Sequence, residues 1–248
     1  MRPTLLLLCP ALLLAQGRGG RGGGQSSAPA PQPARASAPI DLTGYWVSLI
    51  VDEWRFRVSP QKGDIPYLPL NAAARQIANA WDPDKDLADG IACKAYGAVG
   101  VMQRPGRLHV TWDDDNTLHV DADAGTQTRT FHFGDRQGFK GDAAWQGYSV
   151  AQWVRPGGRG AQPKGGQLKV VTTNMLPGYI RKNGVPYSAD AVLTEYFNRL
   201  EGAQGDVYIT VTAMLDDPTY LTQPFVRSYQ FKRQPDASGW EPTPCLSR

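Results

Sequence analysis

From Thr43 to Lys232 the chain is a succession of short runs in which apolar and polar side chains alternate, broken every few residues by Gly, Pro, Asn or Asp. Successive side chains leave a strand on opposite sides, so this period of two marks a strand with one buried face. Strands are expected from Thr43 to about Ile50 and over Trp54–Val58, Gly100–Gln103, Leu108–Trp112, Thr117–Asp121, Thr126–Phe133, Gly147–Val154, Gln167–Thr173, Ala191–Leu200, Val207–Leu215 and Phe225–Lys232. Turn residues separate them, among them Pro105-Gly106, Asp113 to Asn116, Asn183-Gly184 and Asp217-Pro218. One stretch has helical character. Asn71 is a fitting N-cap for the alanine-rich run to Trp81, with Pro83 as its stop and Asp82 to Tyr96 as a polar connection. The expected fold is therefore all-β and mainly antiparallel. About 9–11 strands form a single curled sheet or a barrel, which removes exposed edges, and one short helix covers an end.

One register follows from the pattern. Leu108, Val110 and Trp112 share a face, as do Leu118 and Val120. The two sets meet only if Val110 stands opposite Val120 or an equivalent even-sum pairing holds, with an odd number of residues between. Arg107, His109, Thr111, His119 and Asp121 then share the other, solvated face.

Ahead of the β region, Met1-Arg2 and the apolar run Leu5 to Leu14 have the order of a secretory signal, residues 1–16, cleaved near Ala15 to Gly17. The run is too short to span a bilayer. Residues 17–39 hold Gly, Arg, Ser, Ala, Pro and Gln and read as a disordered tether, leaving 40–248 as a single β domain. Export implies a periplasmic or secreted protein without membrane insertion. The chain carries 26 Lys and Arg, four of them before residue 40, so the domain has 22 against 23 Asp and Glu. A near-neutral domain offers no footprint for nucleic acid. Cleavage would remove Cys9 and leave Cys93 and Cys245. In an oxidising compartment their simplest state is a disulfide, with free thiols or intermolecular links as alternatives.

Candidate chemistry is sparse. His109, His119 and His132 are the three histidines, and no metal-ligand spacing supports a metal site or any cofactor. Gly147-Tyr148-Ser149-Val150-Ala151 lacks the last glycine of a nucleophile elbow and leads into strand, which excludes a serine hydrolase. Arg129, Phe131 and Phe133 share one face of their strand; Thr128, Thr130 and His132 share the other. Glu195, Phe197 and Arg199 share a face, where Glu195 pairs along the strand with Arg199 or, buried in a barrel, acts as a general acid or base. Trp46, Trp112, Trp153, Tyr179, Tyr187 and Tyr220, with Arg129 and Arg199, are candidates to line an amphipathic pocket.

Gly147-Tyr148-Ser149 with Trp153, followed by Leu168 to Thr173, resembles the G-x-S-x-x-x-W … L-x-V-x-T block of a large group of uncharacterised secreted bacterial β-rich proteins. Tyr187-Ser188, Glu195 to Arg199, Asp217-Pro218-Thr219-Tyr220 and Pro224-Phe225 are similar to that group's second block, with Tyr196 and Phe225 where the group has Arg and Trp. The resemblance runs from about Cys93 to Lys232 and implies no activity. Gly44-Tyr45-Trp46 also resembles the Gly-x-Trp opening of lipocalin-like barrels.

These readings favour an exported barrel that binds a small apolar or aromatic molecule. The alternatives are an isomerase, lyase or hydratase using Glu195 or His132 as its catalytic acid–base group, and an envelope-structural or protein-interaction module. A deep aromatic cavity separates the first two from the third. Ligand identity and oligomeric state are not legible.

Overall fold

The computed structural model describes residues 32–58, 60–65, 67–134, 139–156 and 165–247. The expected signal and most of the expected tether lie outside them. Within them the chain is a closed β-barrel with helices gathered at one end. Its strands are β1 (Gly44–Leu49), β2 (Arg107–Trp112), β3 (Thr117–Ala122), β4 (Gln127–Phe133), β5 (Tyr148–Val154), β6 (Gln167–Thr173), β9 (Val192–Glu201), β10 (Val207–Asp216) and β11 (Phe225–Gln234). A separate hairpin, β7 (Gly178–Arg181) and β8 (Val185–Tyr187), interrupts them.

Around the ring the order is β1-β11-β10-β9-β6-β5-β4-β3-β2. Strand direction cannot alternate perfectly around a ring of nine, so one neighbouring pair must run parallel. That pair is β4 and β5, joined over only Phe131↔Ser149, His132↔Val150 and Phe133↔Ala151. Parallel neighbours need a connection of about a dozen residues or more to return the chain to the starting end, and the segment between Phe133 and Tyr148 supplies it. The β2–β3 pair has the expected register, with Val110 opposite Val120 and Trp112 opposite Leu118.

Alternate positions of every barrel strand point inward. Leu108 and Val110 of β2, Leu118 and Val120 of β3, Phe131 of β4, Leu168 and Val170 of β6, Phe197 of β9, Ile209 and Val211 of β10, and Phe231 of β11 are buried in one core cluster. At the open end of the ring Trp112, Phe133 and Trp153 close the lumen, with ring centres 5.2–6.5 Å apart. The chain before β1 adds to this plug: Trp153 Nε1 donates to the Ala34 carbonyl at 2.8 Å, and Ala34 is buried. Residues 32–39, expected in the disordered tether, are thus structured by a tryptophan hydrogen bond that composition does not reveal.

The other end carries α1 (Trp54–Val58), α2 (Ala72–Ala80), α3 (Pro83–Ala88), α4 (Ala98–Val101) and the β7–β8 hairpin. Here four expectations are corrected. Helix α2 forms as read, with Asn71 Oδ1 accepting from the Ala74 amide at 3.0 Å. Pro83, however, opens a second helix instead of ending the helical region. Asp82 caps α3, and proline is well placed in a first helical turn because its missing N–H has no partner to lose there. Trp54–Val58 is helix and not strand: the Phe56 and Arg57 amides both donate to the Glu53 carbonyl. Gly100–Gln103 is likewise helical or turn. Short apolar runs do not separate buried helix from buried strand. The covering helix expected is joined, among the described residues, by three others. Asn183-Gly184 turns the β7–β8 hairpin, with Gly184 at φ +80° and its α-carbon so close to Trp81 that a Cβ would collide with the indole.

Cys93 and Cys245 form a disulfide that fastens the C-terminal segment beside the β3–β4 turn. The Thr243 amide donates to the Asp123 carbonyl at 2.9 Å, and the Leu246 amide to Tyr96 Oη at 3.3 Å. No helix among the described residues is long and apolar enough to cross a membrane.

Candidate functional site: a buried arginine cluster under the helical cap

The barrel lumen holds one polar layer near its capped end. Arg129 (β4) reaches across to Glu195 (β9), Nη1 to Oε1 at 2.9 Å and Nη2 to Oε2 at 2.5 Å. Nη2 also meets Thr172 Oγ1 at 3.3 Å, and the Thr172 and Ser149 hydroxyls are 2.7 Å apart. The register explains the grouping: Ser149 pairs with Thr172 across β5–β6, and Val170 with Glu195 across β6–β9, so inward positions of four strands converge. The Arg129 guanidinium lies 4.9 Å from the centre of the Phe131 ring.

Toward the open end the lumen is packed. Leu42, Leu108, Val110, Leu118, Val120, Phe131, Phe197 and Ile209 enclose a void of about 10 Å³, wholly apolar. That volume is about a single water and far below any drug-sized molecule. Large side chains from facing strands fill this part of the interior.

Above the polar layer, beneath the cap, four arginines from four separate elements gather. Arg57 comes from α1, Arg104 from the segment after α4, Arg181 from the end of β7 and Arg227 from β11. Arg57, Arg104 and Arg181 are only 3 %, 5 % and 1 % exposed. Arg57 is tied by backbone oxygens, Nε to Gln103 at 3.2 Å and Nη1 to Leu49 at 3.2 Å. Gln103 in turn donates to the Val99 and Ile180 carbonyls, locking the segment that carries Arg104 onto β7. Aromatic rings separate the guanidiniums: Arg57 is 5.4 Å from the Tyr229 ring centre, Arg181 is 4.3 Å from Phe56, and Arg227 is 4.9 Å from Phe225.

Acids do not balance this charge. Glu53 contacts Arg227 at 2.9 Å and Arg181 at 3.4 Å. Asp52, half-exposed, stands 3.8 Å from Arg57. Asp64 is bound to Arg55 at 2.7 Å, and Glu195 to Arg129. Among the described residues, Arg57 Nη2, Arg104 Nε and Nη2, Arg181 Nη1 and Arg227 Nε have no hydrogen-bond partner. Desolvation, opposed by Tyr96 and Tyr229 and joined by the charges of Arg57 and Arg181, holds the Arg104 guanidinium down at about 10. Burial also lowers Arg57 and Arg181 and raises Tyr229. Buried N–H donors carrying positive charge are costly unless an anion answers them. Guanidinium edges in general match carboxylates and phosphates in two-point contacts.

The residues singled out in the sequence are divided between the two ends. Trp112, Trp153 and Arg199 lie at the plugged end, Arg199 paired with Glu201 and not with Glu195. Trp46 is buried in the wall with Nε1 bonded to the Leu42 carbonyl. Tyr179 and Tyr187 belong to the capping hairpin: Tyr179 Oη donates to Asp86, and burial raises the pKa of both phenols. Tyr220 lies in the β10–β11 connection, its carbonyl accepting from the Asn71 amide. Two pairs among them meet: Trp112 with Trp153 in the plug, and Arg129 with Glu195 in the lumen. Both Glu195 oxygens accept from Arg129. His132 points to the outer face, stacked 4.9 Å from Tyr148, with burial lowering its pKa. No group of three or more metal-ligating side chains gathers among the described residues.

No local sequence pattern marks the arginine cluster as a whole, because its members are far apart in the chain and the domain's net charge is near zero. One signal was available: Phe56-Arg57-Val58 and Tyr179-Ile180-Arg181 embed arginine in apolar sequence, which a solvated arginine does not need.

Fold and site together define a helix-capped, nine-stranded closed barrel with a packed lumen and a cationic cluster beneath its cap. No protein-family model, curated protein or solved structure matches the chain.

Proposed function

We propose that this chain is an exported binding protein whose small-molecule ligand carries an anionic group, received by Arg57, Arg104, Arg181 and Arg227. The observation that carries the reading is the set of unpartnered, buried guanidinium N–H groups facing a single close carboxylate. The ligand class differs from the apolar molecule expected from aromatic content, because aliphatic and Phe side chains fill the lumen and the arginines gather beneath the cap. Export is supported by the Leu5 to Leu14 run and by the Cys93–Cys245 bond, which persists in oxidising compartments. Membership of the secreted β-rich group is part of the proposal; its supporting residues fall on β5, β6, β9 and the β10–β11 connection.

The test is thermal unfolding of the mature protein titrated with acetate, sulfate and phosphate at constant ionic strength. A ligand that binds only the folded state raises the unfolding temperature in a saturable way. The reading expects such a rise with at least one anion and its loss in Arg104→Met. No anion-specific rise, or an equal rise in the variant, overturns it. Mass spectrometry of protein recovered from its own cells tests export: an intact Met1 removes that part.

A further inference from the structure

We infer that Glu53 is a built-in occupant of the arginine cluster, and that the external ligand presents a carboxylate which takes its place. This rests on the reading of the cluster as an anion site.

Glu53 is the one carboxylate that touches two members of the cluster, and it does so unequally. Arg227 Nη2 lies 2.9 Å from Oε1, while Arg181 Nη2 stands 3.4 Å from both oxygens, at the outer limit of a hydrogen bond. Arg181 Nη1 has no partner. The carboxylate therefore occupies the approach to Arg181 without saturating it. Its position is shallow: the Glu53 side chain is 25 % exposed, that of Arg181 1 %.

The backbone beneath it is unfavourable. Glu53 has φ +46°, a left-handed conformation in which a residue with a Cβ is disfavoured. Its contact with the arginines is the visible compensation. The helix that follows has five residues and is anchored through Arg57, whose side chain donates to the Leu49 and Gln103 carbonyls. The part that moves aside is therefore the quarter-exposed Glu53 side chain and not the helix.

The chemistry of the incoming group follows from which parts of the guanidiniums are open. Phe56 stands 4.3 Å from Arg181 and Phe225 stands 6.0 Å from it and 4.9 Å from Arg227, so aromatic rings occupy the faces. An anion must approach edge-on, in the guanidinium plane. A flat carboxylate does this with two oxygens, and the side chain of Glu53 already shows that its size fits. A bound carboxylate displacing Glu53 would also reach the unpartnered nitrogens that Glu53 leaves.

The experiment is calorimetric titration of the full mature chain and its Glu53→Gln and Glu53→Gly variants with acetate and, separately, inorganic phosphate. Glycine suits the left-handed backbone at this position, so the second variant keeps the measurement available if the first folds poorly. An internal competitor that fills the site in most molecules lowers apparent affinity by the fraction of molecules left open. Both variants should bind acetate about tenfold more tightly than the parent chain. Equal acetate affinity in parent and variants overturns the competitor role while leaving the anion site standing. Variants that prefer phosphate overturn the carboxylate assignment. Variants that bind neither anion overturn the site itself.

Discussion

Arg129 of β4 and Glu195 of β9, 66 residues apart in sequence, close a two-bonded ion pair across the lumen, each side chain 1 % exposed. It is the only charged pair inside the barrel wall among the described residues, and it lies directly below the arginine cluster. Removing one member leaves an uncompensated charge in an apolar interior, whereas removing both leaves none. Arg129→Met and Glu195→Leu alone should each lower unfolding free energy by roughly 3–5 kcal/mol. The double variant should recover most of that loss. Urea unfolding of the four proteins checks it; additive single effects would mean that the pair does not act as a unit.

Arg104 is the contrasting case, a buried charge without a carboxylate of its own. With its pKa lowered by burial to about 10, the folded state releases the proton at lower pH than the unfolded state does. The resulting stabilisation is complete above the unfolded-state pKa and is lost as pH falls through about 10, so at neutral pH the charge works against folding. Arg104→Met should therefore raise the unfolding temperature in anion-free buffer while it abolishes stabilisation by added anion. The stability of the parent chain, relative to that of the variant, should climb between pH 10 and 12. Tyr229, raised by burial, pulls the other way, but it is common to both proteins and cancels in the difference.

The Cys93–Cys245 bond closes a loop of 152 residues and holds the C-terminal segment against Tyr96 and the β3–β4 turn. Loop-closure entropy of that length is worth about 4–5 kcal/mol. For a domain of this size, Cys93→Ser with Cys245→Ser should lower the unfolding temperature by roughly 10 °C or more. A scan of the double variant against the parent, both without reductant, reads it directly.

Gly184 and Gly205 have nearly the same φ, +80° and +83°, in different surroundings. A Cβ at Gly205 meets nothing within 4 Å; at Gly184 it would run into Trp81, whose Nε1 is held by Asp86 at 2.8 Å. Gly205→Ala should cost about 1–2 kcal/mol for the backbone alone. Gly184→Ala should cost more, and the difference between their urea midpoints measures how firmly Trp81 is fixed.

The barrel strands could be read along the chain because each carries its own evidence. The alternation of Leu108, Val110, Leu118 and Val120 states which side faces inward, and matching those sides requires Val110 opposite Val120. The helix from Ala72 and the cysteine pair were readable on similarly local grounds, a capped alanine run and two half-cystines without other partners. Trp54–Val58 failed because five alternating residues fit either period, and what settled it was the capture of Arg57 by the Leu49 and Gln103 carbonyls. The ring of nine strands, the parallel β4–β5 seam, the pairing of Glu195 with Arg129 instead of Arg199, and the arginine cluster all belong to the assembled chain. Arg57, Arg104, Arg181 and Arg227 span most of the domain's length, and no spacing rule connects them. Alternation is a property of neighbours in sequence, whereas charge meeting charge under the cap depends on where the closed ring brings distant segments. That is why the wall of this protein was legible from its residues and the arginine cluster was not.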